Sequence, residues 1–442
     1  MLVFAPLVRG GNRPIPLLVL ELAALAGLAA CAWHWLEGAP RPRVPASLRW
    51  GLGLLLLTPL LQLVPVPAAW WAQMPGHAPY QQALAVAGDA LGARASSIHA
   101  RATEYAWLAM LPCLAAFVLA ISQRRSRLRR LAMVFVGVAL GEAILGIMQL
   151  GAGSGSPLYL GNTFAGGSAT GTYVNKNHFS ALMAMALPMA TAFWALEVMP
   201  PTDGSGVSMK SHPRHADRNL AIRITISVAV VFLLVALAFS GSRGGIGSGL
   251  LAFAFASLIL VFQTSSAMPK VLLSCVAAGA LTFSAYIGLT PVIDRWAPGQ
   301  LSVGFEGRLQ IAAAALRAGL DFMPFGSGLG TFADVFRRYQ VEGLPGFIDH
   351  AHNDYAELFL ELGVVGIAVI GLLGFAYLSR WAQLLRARPS RSLGHVQLGA
   401  GLGMLAMIVH GVVDFNFHIP ANALYFSFLA GIFFFTPDEG RA

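Results

Sequence analysis

Long apolar runs separated by short polar connections dominate the chain. A helix needs about 20 mostly apolar residues to cross a bilayer. Eleven runs come close to that length, at roughly 15–36, 49–68, 104–122, 131–150, 178–198, 220–239, 246–263, 270–290, 355–378, 396–413 and 419–436. The pattern predicts an all-α integral membrane protein with about 11–12 transmembrane helices, the twelfth being a re-entrant or interfacial segment at residues 1–8. No internal repeat and no soluble domain with its own core stands out, so residues 1–442 read as one polytopic domain.

Arginine placement orients the bundle, because cytoplasmic loops carry the excess of Lys and Arg. Arg124, Arg125, Arg127, Arg129 and Arg130 fill one connection, and Arg380, Arg386, Arg388 and Arg391 fill another. Arg41, Arg43 and Arg49 lie between the first two runs; Lys210, Arg214 and Arg218 lie in the Ser/Gly/Pro-rich stretch 200–219. Counting spans alternately puts all four groups on one side. The C-terminus then lies inside and the N-terminus outside, with Arg9 and Arg13 as the exception to the bias. The outward connections are 69–103, 151–177, 240–245, 291–354 and 414–418. Connection 291–354 is too long for a simple connector. It is expected to hold an amphipathic helix near Arg308 to Leu320 and a tight turn at Pro324-Phe325-Gly326-Ser327-Gly328-Leu329-Gly330.

Composition agrees with the pattern. Of the 442 residues 56% are hydrophobic and 11% charged, where soluble domains carry about 25% charged residues. The net charge of +9 sits in the short arginine-rich loops, which indicates membrane orientation and no nucleic-acid partner. The three cysteines fall inside predicted spans and imply no disulfide framework. Leu28-Ala29-Ala30-Cys31 looks like a lipoprotein cleavage box, but Glu21 interrupts the preceding run and the chain stays apolar through Trp35.

The polar clusters gather on the outward side. His350-Ala351-His352-Asn353-Asp354-Tyr355 opens a hydrophobic helix. Asn353 or Asp354 can cap that helix, and acids suit its first turn. His352 then stands where membrane meets water, and an imidazole suits general-base work near neutral pH. An anchoring histidine is the plain alternative. Glu357 and Glu361 share one helix face and are expected to satisfy buried partners. Gly363 and Gly366 are expected to let another helix pack closely.

Ser240-Gly241-Ser242-Arg243-Gly244-Gly245 ends an outgoing span. An outward arginine runs against the bias, and a guanidinium pairs bidentately with phosphate oxygens; snorkelling to lipid phosphates is the alternative. Arg308 is a second outward arginine, with a surface pair to Glu306 as the competing reading, and Arg317 follows it. Asn175-Lys176-Asn177-His178 opens another span from outside, and Asp414-Phe415-Asn416-Phe417-His418-Ile419-Pro420 fills an outward turn. Either one alone reads as cap-and-turn chemistry; two on one face suggest a polar cavity. There is no Walker loop, no Asp-x-Asp pair on an outward loop and no paired-cysteine site. His350 and His352 are two apart without obvious further ligands, so no metal and no cofactor are expected.

Together these motifs resemble the O-antigen ligase and Wzy-type polymerase superfamily of bacterial envelopes. His352-Asn353, nine residues, then Gly363-Val364-Val365-Gly366 is similar to that family's His-Asn-x9-Gly-x-x-Gly pattern. Pro324 to Phe332, Ser242-Arg243-Gly244 and the order of elements over 130–436 resemble it too. Asp414 to Ala421 looks more like exopolysaccharide polymerases than ligases. Eleven spans where the family commonly has twelve, and Leu309-Gln310 after Arg308, depart from the pattern.

The resemblance implies an inner-membrane glycosyltransferase acting at the periplasmic face, with 291–354 as a large periplasmic loop. It implies a donor glycan on undecaprenyl pyrophosphate and a glycan or lipid A-core acceptor, among membrane lipids. His352 is the expected catalytic base. Arg243, Arg308, Asn353, Lys176, His178, Asp414 and His418 are the expected substrate-binding residues. A pilin-type protein acceptor and a polysaccharide transporter or flippase are the rival readings. Glu21, Glu142 and His410 are intramembrane ionisable groups that keep the transporter in view.

Overall fold

The computed structural model describes residues 1–88, 92–164, 167–198, 213–263, 274, 278–279, 282, 303–340, 344, 346–387 and 391–436. Among these, eight helices are long and apolar enough to cross a membrane: Pro14–Leu36, Ala100–Ile121, Arg125–Ala152, Lys176–Glu197, Leu220–Phe239, Arg243–Val261, Val364–Arg386 and Leu393–His410. The protein is thus an all-α integral membrane protein. Its only described strands are Pro65–Val66 and Arg94–Ala95, paired antiparallel.

Two expected spans form shorter helices. Ala46–Gln62 has 17 residues and ends before Pro65, and Pro420–Phe433 has 14. The predicted run 270–290 and Lys210 lie outside the described residues, apart from isolated helical positions in the former.

The run at 355–378 is not one helix. It divides into Asp354–Leu362 and Val364–Ala387, with Gly363 between them at φ 56°. A Cβ on Gly363 would strike the Pro324 carbonyl, and one on Gly326 would strike the Glu361 carbonyl. The two glycines therefore let the Pro324 turn enter the break backbone to backbone. Val364 N donates to Pro324 O at 3.1 Å, Ser327 N to Leu360 O at 3.0 Å and Gly328 N to Glu361 O at 3.1 Å. Gln62 completes the seam, its amide donating to Glu361 O at 2.9 Å and accepting from Leu329 N at 3.0 Å. Gly363 thus serves a helix break, and a Cβ on Gly366 would meet Leu358 O at 2.6 Å in the preceding helix. Apolar periodicity could not reveal this, because both halves are hydrophobic.

Two spans lie at the centre. Lys176–Glu197 has 89% of its apolar window buried and Leu393–His410 has 78%, against 17–44% for the other six. The latter six leave most of their surface for lipid. Pro420–Phe433 packs beside the central pair, and Arg380 donates to Phe433 O at its end and to Phe435 O just beyond it, at 2.9 Å each.

Described parts of several connections meet one another: Ile98 N donates to Ser327 O at 2.9 Å, His99 Nδ1 is 2.7 Å from Asp334 Oδ2, and Arg308 Nη1 is 3.3 Å from Asp414 Oδ2. Helix Val303–Asp321 contains the expected amphipathic stretch and lies against Asp354–Leu362. Ile311, Ala314, Ala318, Phe322, Phe332, Phe336 and Leu360 form a separate small apolar core there. That core escaped the sequence reading because its members come from turns and helices far apart in the chain. The N-terminal segment is tied down as well: Tyr425 Oη donates to Leu2 O, and Thr172 Oγ1 to Pro6 O.

Candidate active site

Asp414 is the hub. It follows the central helix Arg391–His410 by four residues, and its side chain is fully buried. Phe415 N donates to its Oδ1 at 2.9 Å. Arg308, from helix Val303–Asp321, donates Nη1 to Oδ2 at 3.3 Å and to Val413 O at 2.9 Å. Arg308 therefore pairs with Asp414 rather than with Glu306.

Three imidazoles surround the same carboxylate. His352 Nδ1 and His178 Nε2 stand 3.9 Å from Oδ1, and His410 Nε2 stands 3.8 Å from Oδ2. These separations exceed a hydrogen bond. All three nitrogens are buried and have no other hydrogen-bond partner among the described residues. Burial opposes a charge on Asp414, but His352 and the Arg308 guanidinium, with His410 and His178, outweigh it and hold the carboxyl well below its usual range. Phe415 fills the space between the rings. His350 stacks on it at 4.3 Å, and His178 and His352 meet its edge at 4.9 and 5.0 Å.

His352 has φ 50°, a left-handed conformation that side chains other than glycine seldom adopt. Its neighbour holds it there. Asn353 caps Asp354–Leu362, accepting from Tyr355 N at 3.0 Å and Ala356 N at 2.9 Å, and donates to Val412 O at 3.0 Å. The Asn353 amide is thus committed to positioning the loop.

The two remaining cations lie across the cluster. Lys176 begins helix Lys176–Val198 and Arg243 begins helix Arg243–Gln263, and both are exposed. A Cβ on Gly241 would stand 3.8 Å from Lys176 Nζ, so the Ser240–Gly245 turn lies beneath that ammonium. A Cβ on Gly244 would meet His410 Cδ2 at 2.9 Å. The glycine lets the Arg243 turn come down onto the Asp414 cluster. Neither Lys176 nor Arg243 has a hydrogen bond or ion pair among the described residues.

His418 lies apart from Asp414 and faces a second acidic group. Its Nδ1 is 3.1 Å from Asp354 Oδ1 and its Nε2 is 3.2 Å from Glu357 Oε1. His350 Nδ1 is 2.8 Å from the same Glu357 oxygen, and Ala351 N donates to Glu357 Oε2 at 2.7 Å. Burial disfavours a charged His418, but Glu357 and Asp354 outweigh it and raise its pKa to about 10. Burial pushes the Asp354 carboxyl up to about 6 despite His418. Burial, then the charge on Glu357, pushes Glu361 up to about 8 while it accepts from Phe332 N at 3.0 Å.

Of the expected site residues, His352, Arg308, His178 and Asp414 converge directly, Arg243 and Lys176 flank them, Asn353 supports them, and His418 belongs to the second group. From the sequence His410 was an intramembrane ionisable group that kept a transporter in view, and the partnership of His350, Glu357, Asp354 and His418 was missed. Only their shared outward position hinted at it. Glu142 is also explained: it accepts from Thr172 N and Thr172 Oγ1, both at 2.8 Å, and so fastens the loop before helix Lys176–Val198.

Cations and imidazoles thus meet at one end of the helix bundle. Residues 228–371 match the family described as O-antigen ligase. This match supports the resemblance to the O-antigen ligase/Wzy superfamily carried by its motifs, and a function of that general type. Arg243, Arg308 and His352 lie within the matched segment; Lys176, His178, Asp414 and His418 lie outside it. No curated protein matches the chain.

Proposed function

We propose that the protein transfers a glycan from undecaprenyl pyrophosphate to an acceptor hydroxyl at the periplasmic face of the inner membrane. The observation that carries this reading is the approach of His352 and Arg308 to one buried carboxylate, with two uncommitted cations, Lys176 and Arg243, beside them. A lipid-linked pyrophosphate needs cations at headgroup depth. A sugar hydroxyl needs a base next to them.

In this mechanism the acceptor oxygen forms a bond to the anomeric carbon as the bond from that carbon to the pyrophosphate oxygen breaks. His352 takes the hydroxyl proton. Arg243 and Lys176 hold the leaving pyrophosphate, and Arg308 adds charge from the side it does not give to Asp414. Asp414 keeps its negative charge and steadies the imidazolium that forms on His352, as buried carboxylates do for catalytic histidines. His178 and Phe415 wall the cluster. Exopolysaccharide or O-antigen polymerisation and lipid A-core ligation differ only in the acceptor.

The test is transfer by the purified protein with an undecaprenyl-pyrophosphate glycan. Ladders from donor alone indicate a polymerase, and turnover only with lipid A-core indicates a ligase. A requirement for a pilin-like protein indicates protein glycosylation. His352→Ala should lower turnover by about 100- to 10,000-fold, the span of general-base contributions. Near-normal turnover in that variant would remove His352 from its role.

A further inference from the structure

The geometry points to a divalent-metal site formed by His350, Glu357 and His418, which pins the turn at 416–418 to the helix that follows His352. It is independent of the transfer reaction, since His352 and the cations are not among its ligands.

The three side chains come from a loop, a helix and a distant turn, yet their ligand atoms lie within 4.8 Å of one another. Glu357 Oε1 is 2.8 Å from His350 Nδ1 and 3.2 Å from His418 Nε2. An ion about 2.0–2.2 Å from each ligand holds ligand atoms about 3 Å apart. The spacing fits one ion with small side-chain adjustments.

The surrounding contacts are those of a prepared site. Asp354 Oδ1 accepts from His418 Nδ1 at 3.1 Å, which turns the Nε2 lone pair toward Glu357. A carboxylate behind a ligating histidine is the usual support for a bound metal. Ala351 N occupies the second Glu357 oxygen at 2.7 Å, so Oε1 is left to face the rings. His350 is held by its stack on Phe415. Exposure also fits, as His350 and His418 are 24% and 28% exposed, which leaves room for water ligands.

Charge balance agrees. Glu357 and Asp354 bring two buried carboxylates to one spot. One divalent cation offsets both. Two histidines and one carboxylate favour zinc or a similar transition ion over magnesium or calcium.

The experiment uses the full-length protein in detergent, stripped with chelator, equilibrated with zinc and measured by elemental analysis after desalting. Cobalt substitution, read by its visible absorption, reports imidazole ligation. We expect about one ion per chain in wild type. Asp354→Asn should weaken binding by about 10- to 100-fold, and Glu357→Gln and His418→Ala should abolish it. His99→Ala, which removes an exposed imidazole paired with Asp334, should bind like wild type. Folded wild type that retains no ion overturns the assignment and leaves the cluster as a proton-bridged network. An ion retained equally by Glu357→Gln and His418→Ala overturns it too.

Discussion

Arg308 Nη1 lies 3.3 Å from Asp414 Oδ2 across 106 residues of sequence, and this pair joins helix Val303–Asp321 to the turn after a central helix. Asp414 holds its proton more weakly folded than unfolded, because His352 and Arg308 outweigh the burial that opposes its charge. Its contribution is therefore present above its unfolded value near 3.8 and is lost as pH falls further, through the lower folded value. Asp414→Asn should destabilise the protein by about 1–3 kcal/mol, the cost of leaving a buried partner unpaired. The gap in melting temperature from wild type should stay flat from pH 8 to 5 and shrink only in stronger acid. A gap that changes across neutral pH would contradict this assignment.

Glu361 behaves in the opposite sense. Burial and Glu357 raise its carboxyl from 4.5 to about 8, so the folded state binds this proton more tightly. The stability gained is full below pH 4.5 and declines as pH rises toward about 8. Glu361→Gln retains an oxygen for Phe332 N and cannot titrate. Thermal melts between pH 5 and 8 should show wild type losing stability relative to this variant, and parallel curves would rule the effect out.

Gly363 is expected to be intolerant. Its φ of 56° disfavours any Cβ, and the Pro324 carbonyl occupies the space one would need. Gly363→Ala should cost at least about 2 kcal/mol and reduce the yield of folded protein. Gly137→Ala is the control. Nothing lies within 4 Å of a Cβ there, inside helix Arg125–Ala152. It should be neutral or stabilising by about 0.5–1 kcal/mol. Comparable losses in both variants would mean that the break at Gly363 is not the cause.

Arg243 is exposed and uncommitted, so its replacement should affect donor use before stability. Arg243→Lys keeps the charge but loses the planar fork. We expect kcat/KM for the lipid-linked donor to fall about tenfold or more, equivalent to one charge-assisted hydrogen bond, with an unchanged melting temperature. Equal donor kinetics would exclude bidentate pyrophosphate recognition by Arg243.

The sequence alone was enough for the class of protein. Apolar runs of spanning length must form helices in lipid, since the backbone there has no water to satisfy it. Eight described helices meet that requirement. Polar residues are rare in such a chain, so His352, Arg243, Lys176 and Asp414 stand out by position. The capping role of Asn353 was legible for the same local reason, as a short side chain preceding an apolar helix.

Tertiary structure decided which of those residues meet. The approach of His178, His352, His410 and Arg308 to Asp414 depends on how two central helices and a long outward segment pack, and no periodicity encodes that. The division at Gly363 was hidden because it lies between two apolar helices and is created by the Pro324 turn. The partnership of His350 and Glu357 with His418 was equally hidden. Each residue reads as ordinary cap or turn chemistry until the fold places their ring nitrogens and carboxylate oxygens within reach of one another.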